Sequence, residues 1–208
     1  MTNPWLGIPL ADYEDHMRSA AVQQLDALSD LFAEAVEFRA PSSIAILGIA
    51  GGNGLDRIDS EAIHRIVGID VNQDYLDAVR RRYPHLPHLE LHCADLAQEA
   101  LAIAPVQLVH AALVFEHAGT AQCLDNAVSL VAPNGALSVV LQLPSKTEAN
   151  VGSSGYSSLQ RLSADFSLID PIWLRDTLAK RKFTLACETR RAVPAGKELW
   201  MGVFDQDS

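Results

Sequence analysis

The chain has little cysteine, no long apolar run and a deficit of basic residues. Cys93, Cys123 and Cys187 stand far apart without a C-x-x-C pair, which argues against both a disulfide framework and a zinc knuckle. No apolar run approaches the roughly 20 residues that span a bilayer. The first residues also lack the basic and apolar regions of a secretory signal. The sequence therefore predicts a cytoplasmic protein with no membrane partner.

Acidic residues outnumber basic ones, 26 to 16 among 208 residues, and the formal net charge is −10. Such a surface repels phosphate backbones, so nucleic-acid partners are not expected. The basic clusters at residues 80–82 and 180–182 each end a predicted helix, where they complement the helix dipole. No metal site is expected either, because His88 and His92 flank a predicted strand and should lie about 13 Å apart.

Apolar runs and helix-length segments alternate along most of the chain. The short, nearly continuous apolar runs are typical of strands buried on both faces of a parallel sheet. The predicted strands are 43–49, 66–71, 88–93, 106–115 and 136–143; the predicted helices are 73–83, 96–103 and 121–131, with a short helix after residue 54 and a turn at 133–135. Strands separated by helices form right-handed βαβ units, so we expect an α/β fold.

The two ends of the chain depart from this alternation. Residues 20–38 place apolar side chains at helical spacing, which predicts an amphipathic helix that ends before Pro41. Near the other end, a helix over 171–182 precedes two strand-like runs, 183–193 and 198–204, which a Pro/Gly turn joins into an antiparallel hairpin.

These patterns divide the chain into two parts. Residues 1–40 form an N-terminal helical segment that can serve as a lid, and residues 41–208 form the core. Within the core, residues 144–158 are rich in Ser, Gly and Asn, which predicts a mobile loop beside the sheet.

The strongest functional signal is the glycine-rich turn at residues 51–54, which ends the stretch GIAGGNG (residues 48–54) after the first predicted strand. Such a turn lets the main chain approach a ligand closely at the carboxyl edge of a sheet. Asp70 ends the second strand 22 residues after Gly48, close to the spacing at which nucleotide-binding folds place the acid that takes the ribose hydroxyls. Because a charge is costly at the tip of an apolar strand, we expect Asp70 to contact a ribose rather than only to cap the next helix.

Two classes of ligand suit a turn of this kind. A dinucleotide requires G-x-G-x-x-G and a helix start that binds pyrophosphate, but the register that begins at Gly52 and Gly54 reaches Arg57 where the third glycine should stand. Asp56 also lies where that helix start should attract an anion. S-adenosylmethionine has a cationic sulfonium and no phosphate, so it fits this turn better.

The order and content of these segments resemble the class I S-adenosylmethionine-dependent methyltransferase superfamily over roughly residues 41–204. The resemblance implies a Rossmann-like, seven-stranded, mostly parallel sheet with helices on both faces and a C-terminal antiparallel hairpin. In the family an acid stands two positions before the first glycine of the motif. Here Gly48 takes that place and Ala50 replaces the glycine, while Gly52 and Gly54 are kept. The departure removes a usual anchor for the ligand's amino group.

The same resemblance implies a site for S-adenosylmethionine, with S-adenosylhomocysteine as the product. Asp70 matches the ribose-binding acid, Val71 the residue that packs on adenine, and Asp95 the acid that hydrogen-bonds the adenine amino group. Asp95 also suits a helix N-cap, and the two roles are compatible. The full implied cofactor-binding set is Gly48, Ala50, Gly51, Gly52, Asn53, Gly54, Asp70, Val71, Asp95, Leu96 and Ala112.

Catalysis of methyl transfer makes modest demands on side chains. The sulfonium is already an activated leaving group, so positioning supplies much of the acceleration, and a base is needed only when the acceptor holds a proton. Glu116 and His117 follow the fourth strand, where acceptor and methyl group should meet; the alternative is that they begin a solvated helix. By the resemblance Tyr13 and His16 face the methionine end or the acceptor, unless they lie on a surface segment.

The length of the chain bears on the acceptor. With 208 residues there is no large added recognition domain, so we expect a small-molecule acceptor and a monomer or homodimer. Two other functions stay open. One is a non-catalytic or regulatory protein that binds S-adenosylmethionine, which Gly48 and Ala50 keep open. The other is a nicotinamide-dependent oxidoreductase, which Arg57 and the lack of a Tyr-x-x-x-Lys pair disfavour.

Overall fold

A sheet of seven strands forms the centre of the structure, a computed structural model that describes residues 3–20, 22–145, 156, 158–159, 166–193 and 196–207. The strands are β1 (Ser43–Leu47), β2 (Arg65–Asp70), β3 (Leu89–Cys93), β4 (Val106–Ala112), β5 (Val131–Gln142), β6 (Phe183–Val193) and β7 (Lys197–Gln206). Their order across the sheet is β3-β2-β1-β4-β5-β7-β6. The first five strands pair in parallel, and β7 runs antiparallel to both β5 and β6.

The helices flank this sheet and connect its strands. They are α1 (Leu10–Arg18), α2 (Leu25–Arg39), α3 (Gln73–Arg82), α4 (Phe115–Ala118), α5 (Ala121–Ser129) and α6 (Pro171–Ala179), with single 3-10 turns at Pro4–Gly7 and Leu55–Arg57. Local sequence explains two of the starts. The Asn72 side chain accepts from the Asp74 N–H at α3, and Asp170 caps α6 with a proline at its first position.

The apolar core lies on both faces of the sheet because successive strand residues point to opposite sides. On β1, Ala45 and Leu47 pack in a cluster with α5 and α6, whereas Ile44 and Ile46 pack in a second cluster with α2 and α3. All four side chains are buried. This two-sided burial explains the continuous apolar runs in the sequence, and it confirms the predicted α/β class with helices on both faces.

The predicted helix over 96–103 is wrong. Residues 96–98 form a turn and no helix follows. The buried side chain of Asn126 on α5 takes the backbone groups that a helix would use: its amide donates to the carbonyls of Leu96 and Glu99, and its oxygen accepts from the Leu101 N–H. A tertiary contact therefore replaces the local hydrogen bonds.

Two predicted boundaries around β4 and β5 also need correction. The fourth strand ends at Ala112 rather than at residue 115, because Leu113 adopts a φ of 56° and α4 begins two residues later. The turn predicted at 133–135 lies inside β5 as a bulge. Val106 pairs with Val131 and Leu108 with Ala136, so residues 132–135 bulge out of the ladder, and Asn134 takes a φ of 61°.

The remaining segments agree with the predictions where the structure describes them. The C-terminal hairpin forms as predicted, although residues 194–195 of its turn lie outside the described residues. The predicted loop at 144–158 falls mostly outside them as well, so its mobility stays a prediction. In the described ranges no helix has the length and apolar character to cross a membrane, and no three His, Cys, Asp or Glu side chains group in a way that could hold a metal ion.

Candidate cofactor and acceptor site

A cavity of about 700 Å³ opens at the carboxyl edge of the parallel strands, a volume typical of ligand pockets. The ends of β1, β2, β4 and β5 form its floor, and the N-terminal segment covers it. The strand order reverses between β1 and β4, and such a switch point is where open α/β sheets bind ligands. The fold therefore places the cavity where the sequence predicted a cofactor.

The bend that follows β1 lines this cavity through Gly48 and Ala50. Gly48 has a φ of 65°, and a Cβ built there would lie 2.8 Å from the Val114 Cγ2 atom. Ala50 also has a positive φ, 47°, and its N–H donates to the Asp70 carboxylate at 2.9 Å. An acid at position 48 would be strained and crowded, so the departure from the family pattern is built into the backbone.

The other motif residues pack behind the cavity rather than in it. Gly51, Gly52, Asn53 and Gly54 do not line it. A Cβ at Gly52 would lie 2.6 Å from the Tyr83 ring, and one at Gly54 would lie 2.7 Å from the Phe32 ring. The exposed Asn53 side chain donates to the Leu25 carbonyl instead. The three glycines therefore let neighbouring side chains approach the turn closely.

Asp70 lies at the cavity wall, and its side chain connects two strand ends. One carboxylate oxygen accepts from the Ala50 N–H and the other from the Asn72 N–H, both at 2.9 Å. The residue is 7% exposed, and burial raises the pKa of its carboxyl, while the backbone donors of Asn72 and Ala50 act in the opposite direction. Val71 also donates a backbone N–H to this carboxylate, and a carboxylate with about four acceptor positions still has room for a ligand donor.

Asp95 and its neighbours form the adjoining wall, after β3. One Asp95 oxygen accepts from the Ala97 N–H, and the other accepts from the Asn3 side-chain amide, both at 2.9 Å. Asp95 therefore caps a turn rather than the helix predicted at 96–103. Val71 and Leu96 line the same end of the cavity, which brings together the predicted adenine-side residues.

The N-terminal segment over residues 3–18 covers the cavity through main-chain and ring contacts. The Trp5 carbonyl accepts from the Asn72 amide and the Ile8 carbonyl from the Tyr75 hydroxyl, each at 2.9 Å. The Trp5 ring centroid lies 5.1 Å from that of His117 in an edge-on arrangement. Sequence analysis did not place Trp5 in the site, since nothing in the N-P-W-L-G stretch indicated which surface it would cover.

His117 lines the cavity just beyond β4. Its ring lies between Trp5 and Phe166, with a centroid distance of 5.0 Å to Phe166. Burial lowers the pKa of the imidazole to about 4, so the ring is neutral at pH 7. The Nδ1 atom is buried and has no hydrogen-bond partner among the described residues. The helix considered for this residue does form, as α4, but the His117 ring packs between Trp5 and Phe166 instead of being solvated.

Glu116 is buried behind the cavity and does not line it. Its Oε1 atom accepts from the Gln142 N–H at 2.9 Å, and its Oε2 atom finds no partner in the part of the chain that the structure describes. Burial raises the pKa of the carboxyl to about 7. The side chain thus connects α4 to the end of β5 and is not solvated.

The far end of the cavity combines residues from distant parts of the chain. His16 lines it, as do Gln24, Gln142 and Lys197, whereas Tyr13 stacks with Tyr75 on the side of Asp70. The Gln24 amide donates to the Gln142 side chain at 3.1 Å. Burial first, and the charge of Lys197 second, lower the pKa of His16. Sequence analysis found Tyr13 and His16 but missed the other three; a glutamine ending an apolar strand was the one available signal.

The first half of the sheet matches a known family in sequence. Residues 44–135, from β1 to the bulge in β5, match the family described as a methyltransferase domain. The seven-stranded sheet with its reversed β7 is the arrangement that the class I resemblance implied. Residues 44–135 therefore carry a methyltransferase domain. The predicted superfamily, fold and enzyme class are thereby confirmed.

The methyltransferase domain shares its fold with solved methyltransferases. CcbJ from Streptomyces caelestis gives a TM-score of 0.67 at 15% identity over 98% of each chain. The N-methyltransferase NodS from Bradyrhizobium japonicum WM9, crystallised with S-adenosyl-L-homocysteine, gives 0.64 at 15% identity over 88% of this chain and 87% of NodS. The magnesium protoporphyrin IX methyltransferase ChlM from Synechocystis PCC 6803, with the same product bound, gives 0.64 at 13% identity over 94% and 87%. At such identities the likeness concerns the fold alone, and no curated protein matches the chain in sequence.

Proposed function

We propose that this domain transfers a methyl group from S-adenosylmethionine to a small-molecule acceptor and releases S-adenosylhomocysteine. The observation that carries the proposal is the covered cavity at the switch point, where the bend after β1 and the buried Asp70 carboxylate face one space. NodS and ChlM, which share the fold, were solved with S-adenosylhomocysteine bound.

The nucleoside occupies the end of the cavity near β2 and β3 in this proposal. Asp70 accepts from the ribose hydroxyls through the lone pairs that Ala50 and Asn72 leave available. Val71 packs against adenine, and Asp95 accepts from the adenine amino group beside Leu96. Since Asn3 already donates to one Asp95 oxygen, binding of adenine there either shares or displaces that contact.

The methionine end then lies along the bend after β1 and the end of β4. Gly48, Ala50 and Ala112 line that stretch, and Tyr13 lies opposite on α1. With no acid at position 48, the main chain of the bend takes over the role of holding this end. Burial and the nearby Asp70 charge raise the pKa of the Tyr13 hydroxyl, so it stays protonated and acts as a hydrogen-bond donor.

The chemistry is a displacement at carbon. The acceptor's lone pair attacks the methyl carbon, the carbon–sulfur bond breaks, and its electron pair returns to sulfur, which becomes a neutral thioether. An acceptor that holds a proton must release it, and we assign that proton to the neutral His117 ring, or to His16 across the cavity. Glu116 is not placed in the cavity and is assigned a positioning role at the end of β5.

The N-terminal segment 1–40 serves as the lid in this proposal. Its described contacts with Asn72, Tyr75 and Asp95 cover the cofactor end. A covered cavity excludes water and admits a small acceptor more readily than a folded macromolecule. We further propose a cytoplasmic enzyme that acts as a monomer or homodimer and uses no nucleic acid as substrate, in keeping with its net charge of −10.

Ligand binding and label transfer together test the proposal. S-adenosylhomocysteine should raise the melting temperature of the protein, whereas NAD should not. Methyl-labelled S-adenosylmethionine should then label a low-molecular-weight component of a cell extract. Stabilisation by NAD alone would favour the oxidoreductase alternative, and binding of S-adenosylhomocysteine without any label transfer would favour a regulatory protein.

A further inference from the structure

A row of five aromatic rings runs along the wall of the cavity. The rings belong, in order, to Tyr75, Tyr13, Trp5, His117 and Phe166, and all five residues line the cavity. Neighbouring ring centroids lie 6.5, 5.5, 5.1 and 5.0 Å apart. The two tyrosines stack, and the other neighbours meet edge-on. The order of the rings therefore gives the order of these residues along the cavity.

The row connects the two places where the proposed function puts the ribose and the methyl group. Tyr13 lies on the ribose side, because burial first, and the Asp70 charge second, raise the pKa of its hydroxyl. His117 lies on α4, just beyond β4, where the methyl group is proposed to meet the acceptor. The Trp5 ring lies between these two rings.

The covalent structure of S-adenosylmethionine then locates its sulfur. The sulfur is bonded both to the ribose, through a methylene carbon, and to the methyl group that is transferred. With the ribose at Asp70 and the methyl group facing His117, the sulfur lies along the part of the wall that Trp5 forms.

The rings of this part of the wall suit a cation that has no hydrogen bond to donate. A sulfonium carries a positive charge but no N–H or O–H group. Aromatic faces attract such cations, and tryptophan attracts them most strongly. The Trp5 ring stands at 76° to the Tyr13 ring and at 87° to the His117 ring. The three rings therefore present walls of different orientation, as in the aromatic cages that bind quaternary ammonium groups. Because burial lowers the pKa of His117 to about 4, its ring is neutral at pH 7 and does not repel a cation.

Resting on the proposed function, we propose that Tyr13, Trp5 and His117 form an aromatic cage for the sulfonium, so that the site binds the cationic methyl donor more tightly than its neutral thioether product. Trp5 belongs to the N-terminal segment, whose contact with Asn72 holds it over the cavity. When the carbon–sulfur bond breaks, its electron pair returns to sulfur and the attraction to the cage is lost. The cage thus retains the donor and releases the product, and Trp5 takes no part in the bonds that break and form.

Two matched pairs of nucleosides test the cage by calorimetry. S-adenosylmethionine is compared with S-adenosylhomocysteine, and methylthioadenosine is compared with the sulfonium that its S-methylation gives. Within each pair the two ligands differ by one methyl group and one positive charge. In the unaltered protein each sulfonium should bind about tenfold or more tightly than its thioether, as expected for a desolvated cation against aromatic faces.

Substitutions at Trp5 then assign this preference to the cage. In Trp5→Leu the preference should fall to about threefold or less, while the affinity for each thioether changes by less than about threefold. Trp5→Phe, which keeps an aromatic ring, should retain part of the preference. Trp173→Leu, at a tryptophan on α6 that is 43% exposed, is the matched control and should keep all of it.

NMR supplies a readout that a change in stability does not alter. The methyl resonance of bound S-adenosylmethionine, labelled at its methyl group, should move upfield because of the ring currents of the cage. This upfield shift should be reduced in Trp5→Leu and unchanged in Trp173→Leu.

Three results would overturn the cage. The first is equal affinity for sulfonium and thioether in the unaltered protein. The second is a preference that survives in Trp5→Leu, which would assign it to the Asp70 carboxylate. The third is an equal loss of affinity for both members of each pair in Trp5→Leu, which would make Trp5 a structural part of the lid. Binding of S-adenosylhomocysteine to the unaltered protein tests the proposed function separately, so the two failures can be distinguished.

Discussion

The two ends of the cavity are built in different ways. The cofactor end draws on one continuous stretch, from Gly48 through Asp70 to Leu96. The far end, where we propose that the acceptor binds, combines His16 on α1, Gln142 at the end of β5 and Lys197 at the start of β7, so His16 and Lys197 come from nearly opposite ends of the chain. Polar groups at the first end are held by short-range main-chain contacts, whereas those at the second depend on the packing of distant elements.

This difference determines how freely the residues of each end can be substituted without disturbing the sheet. At the proposed cofactor end, the bend after β1 and the end of β2 fix the backbone around the site for S-adenosylmethionine. An end assembled from loops, a lid and one reversed strand can change residue by residue without disturbing the sheet. We therefore expect substitutions at the acceptor end to change turnover or specificity, and substitutions at the cofactor end to change cofactor affinity.

The largest expected effect is at His117, which lies between the two ends. If it takes the acceptor's proton, His117→Ala should lower the rate of methyl transfer by roughly 10²-fold or more while S-adenosylhomocysteine affinity stays within about threefold. Because the pKa of His117 is about 4, the ring is in its basic form across neutral pH, and the rate should show no inflection near pH 6.5 from this group. Both the rate loss and the pH profile are measured by the rate of label transfer as a function of pH.

His64→Ala, at an exposed histidine, is the control for this variant. An unchanged rate in His117→Ala would show that the residue takes no part in the mechanism.

The next largest effect is on the pH dependence of the free energy of unfolding, and it comes from the buried carboxyl of Glu116. Its pKa is about 7 in the folded protein and 4.5 in the reference state, so between these values the folded state holds a proton that the unfolded state has lost. Stability from this group is present at low pH and falls by about 3 kcal/mol as the pH rises through 7. Glu116→Gln should keep an acceptor for the Gln142 N–H and abolish this dependence.

Urea unfolding of both proteins between about pH 4.5 and pH 8 measures the difference. His110 and His117, whose pKa values are about 4, act in the opposite direction as the pH falls, since their neutral forms are the buried ones. They are present in both proteins, so their contribution cancels in the comparison. A constant difference between Glu116→Gln and the parent protein over this range would refute the buried protonated carboxyl.

At the cofactor end, Asp70→Ala should weaken S-adenosylhomocysteine binding at least about tenfold, because charge-assisted hydrogen bonds worth about 1.5–3 kcal/mol are lost. Asp70→Asn should bind better than Asp70→Ala, since it keeps one oxygen for either the ribose or the Ala50 N–H. Calorimetry measures the affinities, and Asp74→Ala, at an exposed acid on α3, is the matched variant. Equal affinities in Asp70→Ala and the parent would show that the sugar does not contact this acid.

The smallest effect tests whether the missing family acid can be restored. Gly48→Asp should cost about 1–2 kcal/mol, because the φ of 65° disfavours any residue with a Cβ. It should not tighten cofactor binding. In a Val114→Ala background the contact with the Val114 Cγ2 atom is relieved and only the backbone cost should remain. Thermal unfolding and calorimetry give both quantities, and a stable Gly48→Asp protein with higher affinity would contradict this view of the bend.

Much of the fold could be predicted from the sequence because its central strands are buried on both faces. Residues such as Ile44 and Leu47 are apolar whichever cluster they enter, so the strands appear as continuous runs. The helix over 96–103 could not be excluded in this way, since Asn126, about 25 residues away, takes its backbone groups. The bulge at 132–135 was likewise hidden, because Pro-Asn-Gly suits an open turn as well as a bulge.

In the candidate site, too, residues in local motifs could be predicted from the sequence, and residues brought in by long-range pairing could not. Asp70, Val71 and Asp95 belong to local motifs, and all three line the cavity; their contact with a cofactor stays a prediction. Lys197 and Gln142 carry no motif, and what brings them to the site is the pairing of β7 with β5. Gly52 and Gly54 belong to the same motif but lie behind the cavity, where they leave room for the Tyr83 and Phe32 rings.

The antiparallel course of β7 also has a consequence for how the protein matures on the ribosome. Chains fold as they emerge, N-terminal parts first, and the cofactor end is complete in sequence once Leu96 and the strands beside it have been made. The lysine that begins β7 arrives some hundred residues later and reaches the cavity only when its strand inserts between β5 and β6. A nascent chain would therefore complete the end at which we propose the methyl donor binds well before the opposite end of the cavity forms.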